Sequence, residues 1–192
     1  MQLHLLSVDT ALLTKRVVVR RFRENDGEQL YDLLQDNRVY LEDAFPSTLN
    51  ENSSKEKSEW YVRVRFAKWL LQEEYCFGVW DNDSAKLIGF IRLFRIDWHI
   101  PKSEVGFFID RDFSSKGIMT EVLSVIIRFA FTQLKLEKIS LRTAMDNYAS
   151  QRLARKCGFR REGDLRADFK KTSGEIIDVM VLGLTKAEWE KV

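Results

Sequence analysis

The sequence predicts a single α/β domain built on a mixed, mostly antiparallel sheet flanked by helices. Three observations lead there. The runs "YCFGVW", "KLIGFIRLFRI" and "SEVGFFID" follow one another as strand-like segments, the first two joined by the turn-forming "DNDSA", which suggests an antiparallel meander. Beyond them Met119, Val122, Leu123, Ile126, Ala130 and Leu134 recur at helical spacing ahead of the strand-like "KISLRTA", so the order becomes strand, helix, strand. A chain of 192 residues, 45% of them hydrophobic, can bury one sizeable core but hardly two.

Residues 1–13 are expected as an N-terminal extension of one domain spanning 1–192. "RVVVRRF" is β-branched and reads as a strand; "ENDGEQLYDLL" then offers Asn25 or Asp26 as the N-cap of a helix carrying Leu30, Leu33 and Leu34. "NRVYLEDAFPSTLNENSS" contains Pro46 and a polar cluster, hence a loop or broken helix. It precedes a helix over about 55–74 with Trp60, Val64, Ala67 and Leu71 as its buried stripe. After "KISLRTA", Asn147 or Asp146 starts a short helix that stops at Gly158, and "GFRREGDLRADF" and "EIIDVMVLGL" flank "KKTSG" as a hairpin.

Composition narrows the function. Thirty-one Lys and Arg against 29 Asp and Glu leave a formal charge of +2, and neither the basic cluster at Arg20–Arg23 nor that at Arg152, Arg155 and Lys156 shows an aromatic-interleaved binding motif, which argues against a specific nucleic-acid partner. Cys76 and Cys157 have no CxxC or Cys/His spacing, and His4 and His99 stand alone, so neither a disulfide framework nor a metal site is expected. No basic leader and no apolar run of roughly 20 residues occur, so a soluble, cytoplasmic protein without a membrane partner is expected.

"FSSKGIMTEVL" runs from a strand into a helix through two serines, a lysine and a glycine. Such a turn aims unpaired N–H groups and the positive end of a helix dipole at one point, which suits a phosphate. Gly117 permits close approach, Lys116 adds charge, and Ser114 or Ser115 adds a hydroxyl. The stretch is neither GxxxxGK[ST] nor GxGxxG, which makes ATP and NAD poor fits. Alone, one glycine with one lysine is a weak signal, and an ordinary loop with a capping serine explains it better.

The stretch resembles the pyrophosphate loop of the GNAT N-acetyltransferase superfamily, Gln/Arg-x-x-Gly-x-Gly/Ala, whose positions fall at Ser114, Gly117 and Met119. "SEVGFFID" is similar to the family's central strand and "NYASQRLARKCGF" to its N-x-x-S/A…K-x-GF segment. "KGIMTE" resembles the RimJ/RimL-like, ribosomal-protein-type enzymes, and "TKRVVVRRF" and "VMVLGLTKAEW" extend the likeness over nearly the whole chain.

The resemblance implies a splayed sheet and an acetyl-CoA-dependent N-acetyltransferase that needs no metal. It implies that the N–H groups from Ser115 through Lys116, Gly117, Ile118 and Met119 to Thr120 hold the coenzyme A pyrophosphate. It also implies that the main chain of Phe108, Ile109 and Asp110 pairs with the pantetheine arm, and that Arg152 and Lys156 lie near the coenzyme phosphates. Two departures stand out: Ser114 replaces the usual Gln or Arg, and Ser115 stands where many members have Gly, which would strain a left-handed backbone there.

Acetyl transfer needs a neutral amine, a donor for the oxyanion, a base, and a proton for the departing thiolate. The backbone N–H of Phe108 is the carried-over oxyanion donor. The tyrosine that many members use as acid is Ala154 here, so Ser150, beside Asn147 on the helix's first turn, becomes the candidate acid; both can equally be helix caps. Glu104 and Asp168 are the candidate bases, or else plain salt-bridged strand carboxylates. Asn37, Arg38, Leu41 and Trp98 are candidate acceptor contacts, which packing explains equally well.

The expected acceptor is a protein N-terminal α-amine, acetylated by direct transfer in a ternary complex. The alternatives are a small amine such as a polyamine or antibiotic, or a non-catalytic acetyl-CoA-binding module. The sequence leaves the oligomeric state open, a homodimer included.

Overall fold

The structure, a computed structural model, describes residues 10–191. His4 and most of the expected extension lie outside the described residues. Eight strands form one sheet in the order β1-β2-β3-β4-β5-β6-β8-β7. They are β1 (Ala11–Leu13), β2 (Val17–Arg21), β3 (Tyr75–Asp81), β4 (Leu87–Asp97), β5 (Lys102–Ile109), β6 (Lys138–Ala144), β7 (Arg160–Lys170) and β8 (Ile176–Thr185). Residues 11–13, assigned to the extension, thus supply an edge strand paired to β2.

The meander β3–β4–β5 and the β7–β8 hairpin are antiparallel, as their turn chemistry predicts. β5 and β6 are parallel, and a parallel pair needs a crossover, which α5 (Ile118–Thr132) provides. Their pairing covers Lys102↔Lys138, Ser103↔Ile139 and Glu104↔Ser140 and then stops. Both strands run on, to Ile109 and Ala144, so the sheet splays open between them.

β3 is buried on both faces, and its alternation separates two cores. Tyr75, Phe77 and Val79 join Val122, Leu123, Ile126 and Phe129 of α5, while Cys76 and Trp80 join the leucines of α1 (Gly27–Asp36) on the other face. Burial, reinforced by the Glu74 carboxylate, pushes the Cys76 thiol up, which fits an inert core residue.

α4 (Lys55–Leu70) departs from its expected face. Ser58, Tyr61, Val62, Arg65 and Trp69 are buried, whereas Trp60 and Leu71 are 68% and 55% exposed. The reason is an ion pair in the stripe: Arg65 donates to Glu74 Oε2 at 2.8 Å and to Glu51 Oε2 at 2.7 Å and lies over the Tyr61 ring. A reading that follows apolar residues assigns such an arginine to solvent. At the start of α1, Asp26 takes the N-cap position but turns its carboxylate to Arg20. Glu59 of α4 accepts from the Asn25 and Gly27 N–H groups instead.

Trp69 closes the far end of α4 onto the sheet, packing edge-on against Tyr75 and Phe77 at ring distances of 4.9 Å each. Trp69→Ala is expected to cost about 3–5 kcal/mol of stability, read as a lower urea midpoint at unchanged slope.

Candidate active site

The strand β5 delivers the chain into a short 3-10 turn, Arg111–Phe113, and then into the loop that starts α5. Ser114 spends both donors on that turn: its N–H and Oγ reach the Arg111 carbonyl at 3.1 and 2.7 Å. Ser115 has φ 60° and Gly117 φ 77°, both left-handed. Glycine adopts that conformation freely, whereas serine is strained by about 1–2 kcal/mol. The strain expected from the Ser-for-Gly departure is therefore present.

This backbone leaves the N–H groups of Ser115, Lys116, Gly117, Ile118 and Met119 without a protein acceptor among the described residues. Thr120, the expected last donor, instead turns its N–H to the Gly117 carbonyl at 3.2 Å. Five unpaired amides thus gather at the positive end of a 15-residue helix, an arrangement that suits an anion.

Beside the loop, the splay exposes one edge of β5. The Asp110 N–H donates to Ile88 O of the β4 side at 2.7 Å. Amides in an antiparallel ladder alternate sides, so Phe108 also faces β4, and Phe107 and Ile109 turn N–H and C=O to the gap. Of the expected trio, Phe108 and Asp110 turn their N–H groups to β4 and only Ile109, with Phe107, faces the gap. The Phe108 side chain is core, packed on Phe90 and Phe45. Strand parity depends on the bonding partner, which a single strand's sequence does not contain.

A cavity of about 540 Å³ occupies the splay. Glu104 and Asp168 both line it and are brought together by one guanidinium. Arg142 Nε lies 3.2 Å from Glu104 Oε2, and its Nη1 donates to Asp168 Oδ2 at 2.7 Å. Arg95 Nη1 also donates to Glu104 Oε2, at 2.9 Å. Glu104 Oε1 and Asp168 Oδ1 keep no protein partner among the described residues. Ser150 lines the same cavity from the first turn of α6 (Tyr148–Lys156). Asn147 is the cap of that helix, its Oδ1 accepting from the Ser150 N–H at 3.1 Å, which leaves the Ser150 hydroxyl to the cavity. Ala154, at the position where the resemblance places a tyrosine, is fully buried and belongs to the core.

None of the expected acceptor contacts lines the cavity. Asn37 is buried and ties α1 to the loop, bonding the Leu33 carbonyl and accepting from the Arg111 N–H at 2.9 Å. Leu41 is in the second core, Arg38 is exposed toward Gln35, and the Trp98 indole donates to the Gln72 carbonyl. Arg152 is exposed on α6, and Lys156 lines a second cavity of about 510 Å³ beside Gly117 and Arg16.

The wall that sequence reasoning missed comprises Tyr40, Phe45, Arg92 and Arg142. Arg92 and Arg142 gave the signal, as arginines in the otherwise strand-like "KLIGFIRLFRI" and "KISLRTA". The β7–β8 turn reaches this wall, with Lys171 lining the cavity and Thr172 Oγ1 donating to the Glu42 carbonyl at 2.5 Å. Its Lys171 is held above the ordinary lysine range by a hydrogen bond to Glu175, with Asp146 and Asp43 adding to the effect. Among the described residues no group of His, Cys, Asp and Glu could hold a metal ion, and no helix is long and apolar enough to cross a membrane.

The acetyltransferase (GNAT) domain family matches residues 16–160. A Bacillus subtilis (strain 168) protein named Probable N-acetyltransferase YjcK is 30% identical over 178 residues, 92% of this chain and 98% of the relative. The ribosomal protein uS5-alanine N-acetyltransferase of Escherichia coli (strain K12) is 27% identical over 183 residues, 93% of this chain and 92% of the relative. The crystal structure of the ribosomal-protein-S5-alanine acetyltransferase from Vibrio fischeri shares the fold with a TM-score of 0.87. It is 20% identical and covers 94% of this chain and 99% of that one.

The strain at Ser115 is directly measurable. Ser115→Gly is expected to raise the unfolding free energy by roughly 0.5–1 kcal/mol, the relieved strain exceeding the entropy that glycine adds to the unfolded chain; a fall in the urea midpoint contradicts it.

Proposed function

Since the acetyltransferase (GNAT) match spans residues 16–160, the chain belongs to the GNAT acetyltransferase family, and we propose that its acceptor is the α-amine at the N-terminus of a protein. Family membership makes the reaction the transfer of an acetyl group from acetyl-CoA to an amine nitrogen. The cradle of five amides and the open edge at Phe107 and Ile109 suit the diphosphate and the amide-bearing arm of that donor.

One observation carries the choice of acceptor: the cavity is electrically balanced. Arg92, Arg95, Arg142 and Lys171 stand against Asp43, Glu104, Asp146 and Asp168, four of each sign. A site for a polyamine or an aminoglycoside needs surplus negative charge to hold several ammonium groups. A chain end brings one amine and a polar backbone, which mixed charge accommodates. The uS5-alanine N-acetyltransferase is named for an alanine, whose side chain carries no amine, and that supports the same class of acceptor here.

The amine's own chemistry agrees. A protein α-amine with pKa near 7.7–8.0 is roughly a tenth neutral at pH 7, whereas a lysine near 10.4 is under ~0.1% neutral. Glu104 and Asp168, partly engaged by Arg142, therefore need only receive one proton, at Oε1 or Oδ1. As the nitrogen bonds the acetyl carbon, charge builds on the thioester oxygen, for which the Phe107 or Ile109 N–H is the available donor. The C–S bond then breaks, and the Ser150 hydroxyl passes its proton to the leaving thiolate as the proton taken from the amine by Glu104 or Asp168, which line the same cavity, restores the hydroxyl.

Thiol release from acetyl-CoA is expected with free-N-terminus peptides and to be absent with N-blocked peptides that retain lysine and with spermidine. Release with spermidine alone overturns the acceptor. Ser150→Ala is expected to lower kcat by about 10²-fold at unchanged acetyl-CoA affinity by calorimetry, and full activity removes Ser150 from the chemistry.

A further inference from the structure

The amide cradle is held from outside by a residue with no place in the chemistry above. We infer that Arg16 is the positioning residue of the loop, fixing its left-handed backbone and thereby setting the affinity for acetyl-CoA; the second half of this inference rests on the donor reading. Arg16 precedes β2, a strand that is not hydrogen-bonded to β5. Its Nη1 donates to the Lys116 carbonyl at 2.8 Å, across 100 residues of sequence. That carbonyl lies between the two left-handed residues, Ser115 and Gly117.

The same guanidinium is itself anchored. Nε donates to Glu121 Oε1 at 3.1 Å, and Thr14 Oγ1 lies 3.3 Å from Glu121 Oε2. Thr14 Oγ1 also accepts from the Arg16 and Val17 N–H groups at 3.3 and 3.0 Å, closing the turn before β2. Glu121 sits in the first turn of α5, where a carboxylate complements the helix dipole. Nη2 lies 3.6 Å from where a Cβ on Gly117 would stand, so the group flanks the cradle without filling it.

A planar fork can grip a backbone carbonyl and a carboxylate at once; an ammonium cannot hold both in this geometry. The pair is 39% and 32% exposed, so its share of global stability is small, and its leverage falls on the loop it pins.

Hydrogen exchange over residues 113–121 of the ligand-free protein, acetyl-CoA binding by calorimetry and the thermal midpoint would be measured for wild type, Arg16→Gln, Arg16→Lys and Arg16→Gln combined with Ser115→Gly. Arg16→Gln is expected to speed exchange selectively at 113–121 and to weaken acetyl-CoA about tenfold. The midpoint should move by no more than a few degrees. Arg16→Lys should recover only part of the affinity. Adding Ser115→Gly, which removes the strain Arg16 opposes, should recover more than its effect in the wild-type background.

Unchanged exchange at 113–121, or acceleration spread over the whole chain, overturns the role, as does unchanged affinity. If wild type binds no acetyl-CoA while Arg16→Gln still loosens 113–121, the donor reading fails and the hold on the loop stands.

Discussion

Two parallel strands that stop bonding after three residue pairs set the terms for everything else in this molecule. Because β5 and β6 part beyond Glu104 and Ser140, a row of main-chain groups at the centre of a sheet is left unpaired. Buried polar backbone without a partner is costly, so such a gap persists only if the surrounding structure props it open and a ligand or water serves it. The props are visible. α5 crosses behind the gap from a loop that begins where β5 ends. β6 is held on its far side by seven antiparallel pairs to β8.

The props extend into the second core. Asn37 fastens the end of α1 to the Arg111 amide, so the helix layer and the loop share a hydrogen bond across 74 residues. Arg92 lines the cavity, and its Nη1 lies 3.7 Å from Glu74, the same carboxylate that holds Arg65 of α4. Removing one member of such a buried network leaves the other charges uncompensated, which couples the packing of α4 to the cavity wall. The cavity is thus a consequence of how the two layers are tied as much as of the residues that face it.

Much of this was legible in the chain. The β-branched and aromatic runs, the Asp81 turn and the apolar period of α5 each depend on near neighbours in sequence, and all fold as their local chemistry dictates. The loop's backbone was legible for the same reason: a glycine and serines ahead of a helix announce a left-handed turn locally. What was hidden depends on partners distant in sequence. The stripe of α4 is displaced because Glu74 and Glu51 make an arginine a core residue. Asp26 abandons its cap because Arg20 competes for it. The parity of β5 follows from its bonds to β4, and the union of Glu104 with Asp168 requires Arg142 on a strand between them in sequence.

The alternation at Phe107 and Ile109 also bears on how this scaffold can change. In the function proposed above, the half of the site that meets the coenzyme arm is made of peptide groups, which every residue except proline carries whatever its side chain. Sequence can drift along that edge at little cost to coenzyme recognition. The opposite half is made of Arg142, Glu104, Asp168 and Ser150, where each substitution alters the charge or shape met by the incoming amine. One wall is therefore robust and the other evolvable, so new acceptors can be acquired by recutting the side-chain wall while the donor grip is inherited unchanged.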